Sequence, residues 1–561
     1  MEIQTEVLVI GAGGAACRAA IAAADCGAQV VMASKLEILK AGATCFPVAE
    51  AAAYNAGDPL VVGDVRKHYE DIMLTAQGMA SPELASILAA GAPQSVRTLE
   101  NWGLAYDGGK GSHYIFKSCF ARSPRSHIIK GHGEPIVKVM ADQIRLRKQI
   151  RIIDDVTITG LLTHTGICAG AYGWTKTGEE ILIRAGAVVM ATGGVCQAFE
   201  RNLNPRDVTG DGYALAWEAG AELVNMEFMQ IGMGICHPIV HIFNAYIWPG
   251  KPKLFNSLGE EFLGKNLPEG LSVDDVLRAH SEHFPFSSTD NSKYLEIAVH
   301  REIVSGRGSA DGGVKIDLRH MTDSYVKALD DEYGISHMWA LARDHIKEQG
   351  LDLLKETAQL CCFAHAINGG IKIDRSASSS VPGLYAAGET AGGPHGADRL
   401  GGNMMVTCQV FGALAGENAA AWALRNPVYT QDPVPRQWKR HISECEGLVR
   451  KKMNPEELIA VLRRTTQENL LVCRNEKGLT KTLETLTALE KELMAAPAGD
   501  SINPRNFELM SMLTSVRLMA RAALRRRESR GSHHREDYPA KDEEYAAAYV
   551  LKNTDADVCG S

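Results

Sequence analysis

The chain has 561 residues, of which 45% are hydrophobic and 22% are charged, and its formal net charge at pH 7 is −8. This length allows about three or four domains, and the composition is ordinary for a soluble globular protein. The negative net charge gives no reason to expect a nucleic acid as a partner.

The N-terminus begins with the acidic sequence MEIQTE, and a strand pattern follows it at once. A signal peptide would begin with basic residues, so we expect a cytoplasmic protein. The stretch from Phe228 to Trp248 has no charged side chain, but it contains Gln230 and His237. It is therefore predicted to be a buried core segment, and this chain to have no transmembrane segment; any membrane association would come through a partner.

The thirteen cysteines include no CxxC pair, and only Cys361 and Cys362 are neighbours. Iron–sulfur and zinc sites need clustered thiolates, usually at short spacings. We therefore expect no metal site and no disulfide framework in this chain. Of the two neighbouring thiols, one is expected to be buried.

Residues 6–35 have the pattern of a strand, a turn, a helix and a second strand. The apolar run Glu6–Ile10 is typical of a parallel strand covered on both faces. An alanine-rich helix is predicted from about Ala15 to Ala24, and a second strand over Ala28–Ala33. Together these elements form a βαβ unit.

The loop between the first strand and the helix has the form GxGxxA over residues 11–16. The first glycine permits the turn, the second lets the backbone approach a pyrophosphate, and the small last residue lets helix and strand pack closely. The N–H groups at the helix N-terminus attract phosphates, so the loop predicts a dinucleotide site. Ser34-Lys35 stands where an acid usually ends the second strand, which leaves NAD, NADP and FAD open.

Two later strand patterns also end in glycine-containing turns. Ala187–Ala191 is followed by Thr192-Gly193-Gly194, and Gly383–Ala387 by Gly388-Glu389. Both are typical of strands that stop at a ligand, and their separation indicates one domain interrupted by an insertion. Prolines 427, 433 and 435 indicate a linker, after which the periodicity is helical. The predicted units are residues 1–230 (first part of the binding domain), 231–354 (capping domain), 355–433 (second part), 434–540 (helical domain) and 541–561 (a weakly packed tail).

Six segments, in the order of the chain, resemble motifs of the flavoprotein subunits of the fumarate reductase and succinate dehydrogenase family, which is related to L-aspartate oxidase and the adenylylsulfate reductase alpha subunit. The segments are Ile10–Ala16 with Ala33–Lys35, Ala191–Gly194, Thr209–Gly212, Gly383–Glu389, His395–Asn403 (HGADRLGGN) and Arg527–Pro539. The resemblance implies an α/β fold: a Rossmann-like FAD-binding domain with an inserted α+β capping domain and a C-terminal helical domain.

The resemblance also implies FAD as the cofactor. The residues that it assigns to FAD binding are Gly11, Gly13, Gly14, Ala15, Ala16, Ser34, Lys35, Gly42, Ala43, Thr44, Thr192, Gly193, Gly194, Asp211, Gly388, Glu389, Arg399, Gly402 and Asn403. Gly42 stands where part of the family has a histidine that links covalently to the flavin, so non-covalent FAD is implied. Asp211, between two glycines, is also expected to cap the helix that follows it.

Two cationic anchors of the family's substrate site are matched by His365 and Arg399, to which the resemblance gives catalytic roles. An arginine fork binds a carboxylate through two parallel hydrogen bonds, and a histidine adds a donor. The family's second carboxylate site, HPTG and TEGxRG, falls on residues 232–235 and 244–249 and is absent here. His237 would replace it only if the loop shifts. We therefore expect an anionic substrate without the C4 dicarboxylate arrangement.

The far end of the substrate is expected to meet Met233, Tyr246 and Trp248, although these residues also fit a plain core. The family's proton-donating arginine falls on Ser292-Lys293. Lys293 is therefore the predicted proton donor, with Arg301 and His300 as alternatives.

The leading hypothesis is an FAD-dependent oxidoreductase that exchanges hydride with a carboxylate-bearing substrate, and that passes electrons to or from an iron–sulfur subunit in a hetero-oligomer. Three alternatives stay open: fumarate reductase or succinate dehydrogenase proper, an adenylylsulfate-reductase-like enzyme, and an electron-transfer flavoprotein subunit without its own substrate. An arginine-rich helix predicted at residues 517–535 would border the partner or form an internal salt-bridged element.

Overall fold

The computed structural model describes residues 1–426, 428 and 435–554. Pro427 and Pro433 of the predicted linker lie outside these residues, as do the predicted boundary between residues 433 and 434 and the last part of the predicted tail, residues 555–561.

The strands of the described residues are short, and most lie in the first two thirds of the chain. They are β1 (Glu2–Ile10), β2 (Val30–Ala33), β3 (Ala51–Asn55), β4 (Ile115–Phe116), β5 (Ser126–Lys130), β6 (Ile150–Ile153), β7 (Val156–His164), β8 (Ile167–Thr175), β9 (Glu180–Met190), β10 (Leu223–Val224), β11 (Met229–His237), β12 (His241–Ile242), β13 (Lys253–Phe255), β14 (Val314–Asp317), β15 (Ala358–Ile367), β16 (Gly370–Lys372), β17 (Leu384–Ala386), β18 (Ala391–Gly392) and β19 (Val550–Leu551).

The helices are distributed along the whole chain, and the longest lie in its last third. They are α1 (Gly14–Asp25), α2 (Asp64–Ala76), α3 (Pro82–Asn101), α4 (Glu134–Arg145), α5 (Asp211–Glu218), α6 (Val273–His280), α7 (Lys293–Glu302), α8 (Asp323–Ala328), α9 (Asp330–Tyr333), α10 (Ser336–Glu348), α11 (Asn403–Ala423), α12 (Arg436–Val449), α13 (Pro455–Thr466), α14 (Glu476–Ala495) and α15 (Pro504–Arg525).

The main sheet confirms the predicted βαβ unit and the two later strands. Its order is β6-β2-β1-β9-β8-β7, and β17 pairs with the end of β9. β1 runs parallel to β2 and β9, and β17 runs parallel to β9. Met190 is therefore in register with Ile10 on one side and with Ala386 on the other. Because parallel strands end at the same edge, the three glycine-containing turns meet there.

The inserted segment forms a second sheet with the order β12-β11-β15-β14-β13, accompanied by helices α6 to α10. β15 lies beyond the predicted boundary at residue 354, yet it pairs with β11 and β14 and thus belongs to this sheet. Residues 228–248, predicted as a buried segment, form β11, β12 and part of a short 3-10 helix. Within the described ranges, no helix combines the length and the apolar character needed to cross a membrane.

The C-terminal helices α12 to α15 are followed by a buried arginine cluster. α15 ends at Arg525, so the helix predicted up to residue 535 is wrong beyond that point. Arg526 contacts Glu227 at 2.6 Å and Glu528 at 2.8 Å, and Arg530 contacts Glu528 at 2.7 Å. All four side chains are buried. The segment is therefore an internal salt-bridged element, and these arginines do not form a surface.

Most side chains in the described part of the predicted tail, residues 541–554, are exposed, but its main chain contacts the buried arginines. Arg526 donates hydrogen bonds to the carbonyls of Tyr545 and Ala547, and Arg530 donates one to that of Asp542. β19 then pairs with β10. The main chain of the tail thus satisfies buried guanidinium groups that would otherwise lack acceptors.

Replacing Glu528 with glutamine should destabilise the protein, because it removes one carboxylate from two buried arginines. Breaking a buried ion pair costs about 3–5 kcal/mol. We expect a lower denaturation midpoint in guanidinium chloride, followed by circular dichroism. Glu444→Gln, in the exposed pair with Arg440, is the matched control and should leave the midpoint unchanged. Equal midpoints for the two variants would contradict the prediction.

Candidate active site

A cavity of about 230 Å³ opens at the edge where β1, β9 and β17 end. It collects most of the residues that the sequence assigns to a cofactor and to a substrate anion. The predicted site residues on its wall are Gly11, Gly13, Gly14, Ala15, Gly42, Ala43, Thr44, Thr192, Gly193, His365, Glu389, Arg399 and Gly402. The convergence of these separated segments follows from the strand register.

The glycine loop brings the backbone close to the cavity in a way that side chains would prevent. Gly11 has φ +125°, and a Cβ atom there would lie 2.2 Å from the carbonyl oxygen of Ala191. A Cβ on Gly42 would lie 3.1 Å from the Cα of Gly13. α1 begins at Gly14, and no side chain caps it at its N-cap residue, Gly13. Its first N–H groups therefore fit an anion such as a pyrophosphate.

Glu389 supplies a buried acceptor at the end of β17. Its Oε1 accepts a hydrogen bond from the N–H of Ile367 at 3.0 Å. Burial raises the pKa of its carboxyl to about 7, while that hydrogen bond and Arg399 act in the opposite direction. A buried carboxyl in this position can accept hydrogen bonds from the hydroxyl groups of a ligand.

The N-terminus of α11 forms another part of the wall. Gly402 is the N-cap residue with φ +81°, and Gly401, Gly402, Met404 and Met405 line the cavity. The positive end of this long helix therefore faces the site and favours a partial negative charge on a bound ring. Asn403 itself turns away, since its Oδ1 is 3.0 Å from His68 Nε2.

Several predicted cofactor residues lie outside the cavity wall. Lys35 Nζ pairs with Asp211 at 2.5 Å and with Glu508 at 2.6 Å. Ser34 Oγ donates to the carbonyl of Leu36. Asp211 is the first residue of α5 and makes no side-chain cap, contrary to expectation. The charges of Lys35, Asp211 and Glu508 thus neutralise one another inside the protein. Ala16, Gly194 and Gly388 also do not line the cavity.

His365 and Arg399, the predicted anchors of a substrate anion, both line the cavity and interact electrostatically. Arg399 donates to Gln230 Oε1 at 2.6 Å and to the carbonyl of Leu400 at 3.1 Å. Its Nε has no hydrogen-bond partner among the described residues. Burial lowers the pKa of Arg399 to about 10, so the group stays cationic at neutral pH. Burial, Arg399 and His132 lower the pKa of His365 to about 3, so this imidazole is neutral.

The three candidates for the proton donor do not reach the cavity wall. Lys293 Nζ donates to the carbonyl of Ser288 at 3.2 Å. Arg301 pairs with Glu536 at 2.9 Å on an exposed face, and His300 lines a separate small pocket. The predicted role of Lys293 is therefore wrong, because its ammonium group is held by main-chain oxygen outside the site.

The predicted far end of the substrate site also differs. His237 is 54% exposed and lies beyond the cavity wall, so it does not replace the missing carboxylate ligands. Met233, Tyr246 and Trp248 are buried core residues that do not line the cavity. Phe284, Ile242, Ala245 and Met338 line it instead, and they make this part of the wall apolar.

His132 is a cavity residue that the sequence reasoning missed. It lies in the turn between β5 and α4 with φ +57°, and its Nδ1 has no hydrogen-bond partner within the described residues. Burial lowers its pKa to about 4. The sequence signal was Gly131-His132-Gly133 between a strand and a helix, a turn that places a side chain at a strand end.

Cys361 and Cys362 are both buried, whereas one exposed thiol was expected. Among the described residues, no group of three histidine, cysteine, aspartate or glutamate side chains is arranged to hold a metal ion.

Replacing Gly11 with alanine should weaken FAD binding, because the added methyl group would overlap the carbonyl of Ala191 and displace the loop. We expect the FAD dissociation constant to rise by about tenfold or more, equal to ~1.4 kcal/mol. Fluorescence titration of the apoprotein measures it. Gly447→Ala is the matched control, because a Cβ at Gly447 meets no atom within 4 Å. Unchanged FAD affinity in Gly11→Ala would contradict this account of the loop.

Comparison with known proteins gives relatives that match over nearly the whole chain. An uncharacterized FAD-dependent oxidoreductase of Methanocaldococcus jannaschii is 30% identical over 98% of this chain and 96% of its own length. One subunit of the fumarate reductase (CoM/CoB) of Methanothermobacter marburgensis is 30% identical, with 98% and 97% covered. The structure of Mycobacterium smegmatis Sdh1 in complex with UQ1 superposes with a TM-score of 0.82 at 27% identity, covering 99% and 96%.

Two family matches account for both parts of the chain. Residues 6–405 match the family described as FAD binding domain, and residues 460–558 match the one described as fumarate reductase flavoprotein C-term. The glycine loop, the buried acceptor Glu389 and the helix N-terminus at Gly402 fit this cofactor. The chain therefore belongs to the FAD-dependent oxidoreductases of the fumarate reductase and succinate dehydrogenase flavoprotein family, and FAD is its cofactor.

Proposed function

We propose that the chain exchanges hydride with an unsaturated or saturated acid whose carboxylate is held by Arg399 and His365. The observation that carries this proposal is the buried guanidinium of Arg399, which lines the cavity and has an Nε without a partner among the described residues. A buried cation without a carboxylate partner is costly, and a substrate anion would remove that cost.

The two residues have complementary tasks. Arg399 is oriented by Gln230 and by its own neighbouring carbonyl, so its position is fixed before a ligand arrives. His365 is neutral and packs its ring edge-on against Phe284, with 5.7 Å between the ring centroids. It would donate one N–H to the second carboxylate oxygen. Together they would place the adjacent carbon atoms of the substrate at a fixed point of the cavity.

FAD supplies the hydride acceptor or donor when it is bound, and the residues of the chain bind, orient and shield the substrate. Phe284, Ile242 and Met338 cover the cavity with apolar surface, which excludes water and strengthens the contacts of Arg399. The same surface favours a substrate with one carboxylate and an apolar remainder. Gly232 and Gly234, at the positions of the family's second carboxylate ligands, lie in β11 and offer no side chain.

Fumarate itself is the second candidate, because a relative that is similar over nearly the whole chain is named as part of a fumarate reductase. An adenylylsulfate-like substrate would bring further negative charge, and the apolar part of the wall offers few groups that would bind it. By resemblance, the electron partner would be an iron–sulfur subunit in a hetero-oligomer. A flavoprotein that only transfers electrons would have no use for the paired arrangement of Arg399 and His365.

Arg399→Lys should weaken binding of the acid while leaving the flavin bound. Lysine keeps the charge but loses the two-pronged hydrogen bond, which we expect to raise the substrate dissociation constant by about 10- to 100-fold. Anaerobic reoxidation of the dithionite-reduced flavin by cinnamate or crotonate, followed at several concentrations, measures it. Arg375→Lys is the matched control, since Arg375 is 74% exposed on the surface.

The same reoxidation experiment separates the candidate functions. Fast reoxidation by unsaturated monocarboxylates and slow reoxidation by fumarate supports the proposal. The reverse order would establish a fumarate reductase with a rearranged site. Reoxidation by adenylylsulfate alone, or by an iron–sulfur protein alone, would overturn the assignment of Arg399 and His365.

Acid precipitation should release all of the flavin into the supernatant. Gly42 occupies the position of the linking histidine and packs against Gly13, so it provides no side chain for a bond to the flavin. Absorbance at 450 nm of the supernatant and pellet measures the release. Yellow colour that stays with the precipitated protein would contradict non-covalent binding.

A further inference from the structure

We propose that Cys236 and Cys361 form a reversible disulfide when a hydroperoxide reaches them, and that this bond reshapes the apolar wall of the cavity. Both thiols are free and buried in this structure. The thiol pair stands on its own geometry, whereas its effect on a bound acid rests on the proposed function. The chain then binds its substrate less tightly under oxidising conditions.

The two cysteines lie on neighbouring strands of the capping sheet. Cys361 on β15 is in register with Gly234 on β11. Cys236 lies two residues further along β11, at a shift of the register between Ile235 and His237. The shift makes Cys236 an extra residue of β11, so its side chain leans over the neighbouring strand.

Gly313 shows on which face of β15 the sulfur of Cys236 lies. A Cβ on Gly313 would lie 2.7 Å from Cys236 Sγ and 3.0 Å from Gln359 Cβ. Gln359 and Cys361 are two residues apart on β15, so their side chains share a face. Cys236 Sγ therefore lies over the face that carries Cys361, and the thiol of Cys361 donates a hydrogen bond to it.

The same face of the sheet supports the apolar wall of the cavity. Ile242 pairs with Gly234 on the side opposite to Cys361, so Ile242 and Cys361 flank a residue without a side chain. Ile242 and Phe284 line the cavity. Both pack in one hydrophobic cluster with Cys236 and Cys361. A movement of the two cysteines is therefore transmitted to the wall by direct packing.

A small pocket gives an oxidant access to the pair from outside. Its volume is about 100 Å³, and Cys361 lines it together with Arg201 and Val304. Val304 is 53% exposed, so the pocket begins at the surface. Cys236 itself keeps 9% of its surface exposed. A molecule as small as hydrogen peroxide fits this space.

Cys236 is the thiol that reacts first. The hydrogen bond from Cys361 lowers the pKa of Cys236; burial acts in the opposite direction, and the cation of Arg201 adds to the lowering. Burial raises the pKa of Cys361, which therefore keeps its proton. Because the thiolate is the nucleophilic form, Cys236 attacks the oxidant and Cys361 completes the bond.

The atoms and electrons balance with hydrogen peroxide as the oxidant. The Cys236 thiolate attacks one oxygen atom: an S–O bond forms, the O–O bond breaks, and the leaving hydroxide takes up the proton that Cys236 released on ionising. The sulfur of Cys361 then displaces the hydroxyl group of the sulfenic acid, which leaves as water with the Cys361 proton. The S–S bond forms, the two thiols lose two electrons in total, and the peroxide gains them.

The first experiment maps the bond in the full-length protein with FAD bound. A few equivalents of hydrogen peroxide, blocking of the remaining thiols and digestion with trypsin should yield the peptide of residues 207–253 joined to that of residues 356–372. Dithiothreitol should separate them. Cys361→Ala should abolish the link, and absorbance of the bound FAD shows that the variant is folded. No link in the wild type, or a link that persists in Cys361→Ala, would overturn the proposal.

Two other thiols serve as matched controls. Cys362→Ala should leave the link intact, because Cys362 points to the opposite face of β15 and donates to the carbonyl of Glu296. Cys445 has the same exposed fraction as Cys236, 9%, but packs in another cluster with Tyr172. It should stay reduced at the peroxide concentration that converts half of the pair. Equal oxidation of Cys445 would indicate general thiol damage and would speak against a built site.

The second experiment tests the coupling to the wall and needs no substrate. Amide hydrogen exchange of the oxidised and the reduced protein should differ by about threefold or more at residues 241–243 and 283–286. Residues 156–164 of β7 are the internal control and should exchange equally in both forms. Equal rates at the wall would disprove the coupling.

The third experiment connects the pair to the proposed function. Titration with cinnamate, followed by the absorbance of the bound flavin, should give a dissociation constant about tenfold higher for the oxidised protein. Dithiothreitol should restore the original value, and Cys236→Ala should bind cinnamate equally before and after peroxide. Equal affinities of the two wild-type forms would overturn the effect on the acid. If neither form bound cinnamate, the proposed function would fall, while the peptide map and the exchange rates would still decide about the thiol pair.

Discussion

The parallel pairing of β9 with β1 and β17 is the constraint on which the site depends. Met190 has Ile10 on one side and Ala386 on the other, so segments almost 400 residues apart in the sequence end at one edge. The glycine loop, the second turn and Glu389 therefore share one cavity. The inserted capping sheet then closes the far side, and Arg399 and His365 meet where the two parts adjoin.

The cofactor half of this arrangement could be predicted from the sequence because its causes are local. A tight turn such as Gly11–Gly14 needs residues without side chains whatever lies elsewhere, and the apolar runs on either side of it have strand periodicity. The resemblance to the family identifies Arg399 and His365 for the same reason, since each stands in a contiguous motif: HGADRLGGN at residues 395–403 and HAINGGI at residues 365–371. The fold class followed from the order of these local signals.

The proton donor could not be predicted in this way, because which side chains reach the cavity depends on contacts between distant segments. Lys293 stands at the position that corresponds to the family's proton-donating arginine, but its ammonium group donates to the carbonyl of Ser288 and does not line the cavity. His132 reaches the cavity from the turn between β5 and α4, far in sequence from the other residues of the wall, and no family motif marks it. The predicted cofactor-binding roles of Lys35 and Asp211 depend on distant contacts in the same way. The two side chains form an ion pair with each other instead of facing the cavity.

The ion pair between Glu227 and Arg526 has a consequence for the folding of the protein. Glu227 lies two residues before β11, which enters the capping sheet, yet its buried partner Arg526 is made about 300 residues later. Until Arg526 is made, this carboxylate lacks its buried ion-pair partner. We therefore expect this region to reach its final packing only after the segment that contains Arg526 has been synthesised.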